Sequence, residues 1–259
     1  MNNIYTAKSE FDKYTKEFDL NNINLKGKYF HTYRVMELCG QIAESLNLNE
    51  EEIEVAKIIG LLHDIGRFEQ FTKYETFSDV NSIDHANLGV EILEKNNFLR
   101  AFIKETNFDN LILKAIKNHN KLNIESGLND KENLFCKIIR DADKIDIMYE
   151  ATELFYTDNN EILEIENGII KDEIVEEIKK ERLLLKKQDS TILDGVLICL
   201  CFVFDLNFKY SVDIILERDL INKIINRFDF KDKKTKENIE IIRKILNKYI
   251  RNDKHWNYL

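Results

Sequence analysis

Residues 61–68, LLHDIGRF, hold the densest chemistry of the chain. They close an apolar segment that opens at Asn49, where Asn49 and Glu52 form an N-cap and capping partner for a helix reaching about His63. His63 shares a face with Ile59 and Ala56, so its imidazole points where that helix buries itself. Asp64 follows directly. Neighbouring helical residues point about 100° apart and would diverge within a continuous helix. At a helix end, with Gly66 letting the backbone turn, both side chains can bend toward one ion. A histidine paired with a carboxylate suits Mn²⁺, Fe²⁺ or Zn²⁺ better than Ca²⁺. The residues from Asp64 to Val80 then read as a loop.

Working outward, helical periodicity recurs along the chain and no run alternates like a strand. Helices are expected at about Glu10–Leu20, Tyr29–Leu46, from a cap at Ser82 or Asp84 to Lys95, at Asp109–Asn118 and at Lys131–Tyr149. Beyond Ala151 the texture becomes highly charged, and helical periodicity continues to Lys187. The apolar stretch Leu193–Phe208 reads as a buried helix, too short and too interrupted by Asp194 and Asp205 to span a bilayer. Two amphipathic helices, Val212–Phe228 and Lys236–Ile250, complete the chain. There is no proline in 259 residues, where average usage gives about 13. That absence excludes polyproline segments and argues against an all-β sandwich. The expected fold is all-α, with residues 1–150 as the main domain and 151–259 as a helical C-terminal extension.

Charge and cysteine usage narrow the partners. The net charge of −9 argues against gripping a nucleic acid polymer through phosphate neutralisation. A small phosphorylated substrate needs only a local positive site and stays compatible. No membrane partner is expected, and the sequence leaves a homo-oligomer open. The N-terminus MNNIYTAKSEFDKY has no basic region followed by an apolar run, so a cytoplasmic protein is expected. Cys39, Cys136, Cys199 and Cys201 lack metal-site spacing and read as reduced core thiols.

The histidines are not scattered. Four of the five fall on the apolar stripe of their own helix: His31 with Val35, Leu38 and Ile42; His63 with Ile59; His85 with Gly89 and Ile92; His119 with Ala115 and Ile112. One such histidine is ordinarily a core residue bonded to a carbonyl. Four on four helices point to convergence, because buried imidazoles satisfy one another best by sharing a metal.

The order His31, His63-Asp64 in HDIGR and Asp143 in RDADKID resembles the H…HD…D signature of the HD-domain metal-dependent phosphohydrolases, over roughly residues 25–150. His85 in DHANLGVEIL and His119 in IKNHN resemble the two extra histidines of subgroups that hold two ions. The resemblance implies an HD-domain helical bundle in which His31, His63, Asp64 and Asp143 ligate a first divalent ion. Asp64 would bridge to a second, held by His85 and His119. The ions would be drawn from Mn, Fe, Co, Ni, Zn or Mg. It further implies that a metal-activated hydroxide attacks a phosphomonoester, pyrophosphate or phosphodiester, with a small nucleotide as the expected substrate.

The helix from Lys131 carries a conflict. Angular bookkeeping puts Asp146 nearer the buried face than Asp143, whereas the family pattern selects Asp143; Asp146 is kept as an outer-shell candidate and Asp141 reads as a surface residue. Asp64 and Arg67 are the catalytic candidates, Arg67 either meeting a phosphate with its guanidinium fork or making a plain salt bridge. Lys144 is a weaker candidate of the same kind. Asn118 and Asn120 flank His119 and could orient it, and His255 carries no site. Cyclic di-GMP cleavage is disfavoured, since the subgroup that performs it carries a GYP stretch and this chain has no proline. Two other readings share the ligand set: a di-iron oxygenase and a non-catalytic nucleotide-binding sensor.

Overall fold

The computed structural model describes residues 4–187, 189–252 and 256. Among them are fourteen α-helices and no strand. The chain divides into two compact units, Met1–Asp143 and Lys144–Leu259. The first contains α1 (Ile4–Thr15), α2 (Ile23–Ser45), α3 (Glu50–Leu62), α4 (Ile65–Tyr74), α5 (His85–Glu94), α6 (Leu99–Phe102), α7 (Asp109–Asn118) and the start of α8 (Asp130–Glu153).

The core of this unit is the α2–α3 pair. Val35, Met36, Cys39 and Ile42 of α2 and Ile58, Ile59 and Leu62 of α3 are buried, each contributing roughly 1.5–3 kcal/mol when withdrawn from water. Gly60 lets the two helices approach closely: a Cβ there would stand 2.7 Å from the Met36 Cα. The expected cap of α3 is present, with Asn49 accepting from the Glu52 N–H and Glu52 returning to the Asn49 N–H. Asp84, rather than Ser82, caps α5, accepting from the Asn87 N–H at 3.0 Å.

The expected loop from Asp64 to Val80 is in large part a helix, α4. Gly66 and Thr72 lower its intrinsic propensity, but Ile65, Phe68 and Gln70 are buried, and packing overrides propensity. Phe68 meets the rings of Phe11, Tyr14 and Phe18, and the Tyr14 hydroxyl donates to the Ile65 carbonyl at 3.3 Å. Gly66 does not turn the chain, because its φ is not positive. Its role is close packing. A Cβ would collide with the His85 carbonyl oxygen and stand 2.8 Å from the Gly89 nitrogen. This contact holds the start of α4 against the start of α5.

The second unit holds α9 (Asn159–Asn167), α10 (Asp172–Ile178), α11 (Ile192–Leu200), α12 (Lys209–Glu217), α13 (Leu220–Asn226) and α14 (Lys233–Ile250). α14 buries Ile239, Ile242, Leu246 and Ile250, and its Asn238 donates to the Ile170 carbonyl at 2.8 Å. The apolar stretch is α11 followed by a 3₁₀ turn at Cys201–Asp205. The single helix expected at Val212–Phe228 is two, because Asp219 adopts φ 53° and breaks the ladder between α12 and α13. No helix among the described residues is long and apolar enough to cross a membrane, and all four cysteines are buried and unlinked.

Gly66→Ala is expected to destabilise the protein by about 1–3 kcal/mol, because the clash is with backbone that cannot rotate away. Gly89→Ala should cost less, since its Cβ would meet the flexible Ile65 side chain first, at 3.3 Å. Denaturant midpoints of the two variants check the order.

Candidate metal centre

Six side chains from the first unit converge. His31 lies inside α2, His63 ends α3, Asp64 starts α4, His85 starts α5, His119 ends α7 and Asp143 lies on α8. The four histidines and Asp64 are at most 3% exposed. Four of these residues occupy helix ends, and the two that close a helix, His63 and His119, do so for a local reason: the last carbonyls of a helix lack partners and can hold an imidazole. His63 Nδ1 lies 2.7 Å from the Gly60 carbonyl, and His119 Nδ1 lies 2.7 Å from the Ile116 carbonyl. A carbonyl only accepts, so both Nδ1 atoms carry the proton. His85 Nδ1 faces the Asp79 carboxylate at 2.7 and 2.8 Å and is assigned the same tautomer.

In these tautomers every Nε2 presents a lone pair inward. Nε2 of His85 and Nε2 of His119 stand 2.9 Å apart. Two lone pairs facing each other at that distance repel unless a cation lies between them. Nε2 of His63 is buried with no hydrogen-bond partner among the described residues. Its nearest carboxylate oxygens are Asp64 Oδ2 and Asp143 Oδ1, each at 3.6 Å.

Asp64 divides the cluster. Its Oδ2 lies 3.6 Å from Nε2 of both His31 and His63. Its Oδ1 lies 3.2 Å from His85 Nε2 and 3.6 Å from His119 Nε2. His31 Nε2 is 3.1 Å from Asp143 Oδ1. Ligands about 2.1 Å from a common ion, at octahedral or tetrahedral angles, are themselves about 3.0–3.4 Å apart, close to these spacings. His31, His63 and Asp64 form one group able to hold an ion, and Asp64, His85 and His119 another. The donor set thus fits divalent transition ions, with imidazole and carboxylate on each side.

Electrostatics prepares the same groups. Burial by itself would raise the Asp64 pKa, but Lys28, His63 and the imidazoles of His119 and His85 hold it well below the usual carboxylate range. Burial likewise acts against Asp143, and the imidazoles of His31 and His63 beside it lower it strongly. Burial pushes His119 down to about 4, with Asp64 opposing and His85 and His63 adding to the drop. At neutral pH its ring is therefore a free base, the form that binds metal.

A second tier of residues surrounds the ligands. Asp79, in a 3₁₀ turn at Asp79–Asn81, accepts from Arg67 Nη1 at 3.0 Å, Gln70 Nε2 at 2.9 Å and Asn120 Nδ2 at 3.1 Å besides facing His85. Arg67 Nη1 also donates to the Phe77 carbonyl at 2.6 Å, and Arg67 Nε lies 3.5 Å from Asp64 Oδ1. Lys28 Nζ donates to Asp64 Oδ2 at 2.9 Å. Reasoning from sequence missed both Lys28 and Asp79. The signals existed: Lys28 is three residues before His31 and so shares its helix face, and Asp79 is an acidic residue shortly before DHAN.

Residues 29–148 match the family model described as HD domain. This segment is an HD domain. No curated protein and no solved structure matches the chain. HD domains bind divalent metals, and the buried histidine and aspartate groups lie within the matched residues.

The other candidates of the sequence have different surroundings. Lys144 pairs with Asp205 at 2.8 Å. Asn118 accepts from the Glu125 N–H and donates to the Lys114 carbonyl, which shapes the loop after α7. Asn120 donates to Asp79 and Asp84 and stands beside His85. Asp141, expected at the surface, is fully buried, as is Asp146 at 1% exposure. Asp146 is thus the more buried residue, as the angular bookkeeping indicates, while Asp143 Oδ1 lies 3.1 Å from His31 Nε2 and 3.6 Å from His63 Nε2. His255 lies outside the described residues.

Asp79→Asn is expected to weaken a divalent ion held at His85 and His119 by about 10–100-fold while affecting one held at His31 and His63 less, read as the change in affinity by calorimetry. The ion-free protein is expected to lose stability as the pH falls from 6.5 toward 4. Over that range the unfolded His119 takes up a proton that the folded one refuses. Denaturation of wild type and His119→Gln at pH 7 and pH 5 checks this, the variant showing the smaller loss.

Proposed function

We propose that the chain is a metal-dependent phosphohydrolase cleaving a phosphomonoester, pyrophosphate or phosphodiester of a small nucleotide. The observation that carries this reading is Asp64, whose two oxygens face separate sets of imidazoles. His31, His63, Asp143 and Asp64 Oδ2 would hold one divalent ion, and His85, His119 and Asp64 Oδ1 a second. Such ions would supply a nucleophilic water at neutral pH and offset charge developing on phosphoryl oxygens.

The chain's own residues do the rest. The carbonyls of Gly60 and Ile116 and the Asp79 carboxylate keep the protons of three histidines on Nδ1, so that Nε2 stays aimed at the site. Asp64 joins the two sides through one rigid carboxylate. Arg67 acts through Asp79 and Asp64, since its Nη1 is committed to Asp79, Gln70 and the Phe77 carbonyl. The acidic balance of the chain favours a small phosphorylated substrate over a nucleic acid polymer. Four buried thiols suit a reducing cytoplasm.

The test loads wild type, His63→Ala and Asp64→Ala in parallel with Mn²⁺, Fe²⁺, Co²⁺, Ni²⁺, Zn²⁺ or Mg²⁺ and screens phosphomonoesters, pyrophosphates and phosphodiesters. Turnover by wild type and a loss of at least about 10³-fold in both variants is expected. Undiminished turnover in either variant would move the reaction elsewhere. Iron retained in air with a mixed-valence signal, and no phosphate ester cleaved, would replace the hydrolase with a di-iron oxygenase.

A further inference from the structure

One cation at the centre has no part in the ligand set. Lys28, one turn before His31 on α2, places its ammonium 2.9 Å from Asp64 Oδ2, the same oxygen that faces His31 and His63. Its side chain is 17% exposed, against 3% for Asp64 and none for His31 and His63. The ammonium therefore enters from the solvent side of the cluster. The Phe77 ring lies 5.7 Å from Nζ and equally far from the Arg67 guanidinium carbon, so one aromatic face borders both cations.

The two cations differ in how they are spent. Arg67 Nη1 serves three acceptors. Lys28 has Asp64 as its hydrogen-bond partner among the described residues, and an ammonium offers three donors. Lys28 thus keeps donor capacity at the rim, whereas one arm of the Arg67 guanidinium, Nη1, is built into the wall.

Charge decides what that capacity is for. Asp64 and Asp143 bring two negative charges, and imidazoles ligate as neutral bases. Two divalent ions would leave the six ligands with a surplus of two positive charges; Arg67 and Asp79 cancel each other, and Lys28 would add a third. An ion claiming Asp64 Oδ2 also competes with the ammonium for the same oxygen. A buried surplus of this size is costly without an anion.

We propose that Lys28 is the residue that binds the substrate's phosphoryl oxygens: it guards Asp64 Oδ2 in the ion-free protein, yields that oxygen to the ion, and then turns to the arriving phosphate. The proposal rests on the metal-centre reading above and assigns substrate recognition to a residue outside the ligand set. It makes opposite demands on two affinities. Removing the ammonium should help the ion and harm the anion, whereas loss of a mere structural brace would harm both.

The experiment uses the full chain, with thermal unfolding confirming that each variant is folded. Mn²⁺ is titrated calorimetrically into wild type, Lys28→Met and Lys28→Arg without phosphate, and inorganic phosphate is then titrated into each Mn²⁺-loaded protein. Lys28→Met is expected to bind Mn²⁺ about threefold to tenfold more tightly and phosphate about tenfold more weakly. Lys28→Arg should retain phosphate within about threefold, since its charge and donors persist. Phosphate affinity unchanged in Lys28→Met overturns the proposal, as does Mn²⁺ affinity that falls together with phosphate affinity. A wild type that takes up no Mn²⁺ overturns the metal-centre reading itself and the Lys28 role with it, a failure seen before any variant is compared.

Discussion

The centre of the first unit depends on one buried carboxylate. Asp64 is 2% exposed, and a carboxylate so placed is costly unless positive charge and hydrogen-bond donors surround it. The molecule answers with Lys28 at one oxygen, Arg67 near the other and imidazoles around both. Much of the local architecture follows from that need. α2 must bring His31 and Lys28 to the same oxygen, α5 and α7 must end or begin at the opposite one, and α4 must start at Asp64 itself.

Helix ends are the device that makes this convergence affordable to the backbone. His63 and His119 use their Nδ1 protons to satisfy carbonyls of the final turn, so one bond serves both secondary structure and the aim of the ring. His85 has no such carbonyl, because it begins a helix rather than ending one. A carboxylate, Asp79, takes that role and is held in turn by Gln70, Arg67 and Asn120. The two sides of the cluster therefore differ in construction: His63 rests on a backbone carbonyl, while the side of His85 and His119 combines a backbone carbonyl with a side-chain network.

Helix content, the cap at Asn49, the extent of α7 and four convergent histidines were all legible in the order of residues, because each depends on local periodicity or on residues within one turn. α4 was not, since Gly66 reads as a breaker in sequence and as a close-packing residue in space. The break at Asp219 was hidden for a related reason: the apolar spacing continues across it, while the backbone φ does not. Asp79 and Lys28 escaped because a charged residue near a motif looks like any solvated charge until its partner is known.

Sequence was sufficient for the all-α class and for the residue types of an HD-type centre, since periodicity and motif spacing are properties of a linear order. Space had to decide which oxygen of Asp64 faces which imidazoles, that Asp143 reaches both His31 and His63, and that Arg67 Nη1 is tied to three acceptors while Lys28 keeps donors to spare. Those are matters of a few ångströms between residues far apart in the chain, such as the 36 positions from Lys28 to Asp64. Tertiary packing sets such distances, and no local pattern encodes them.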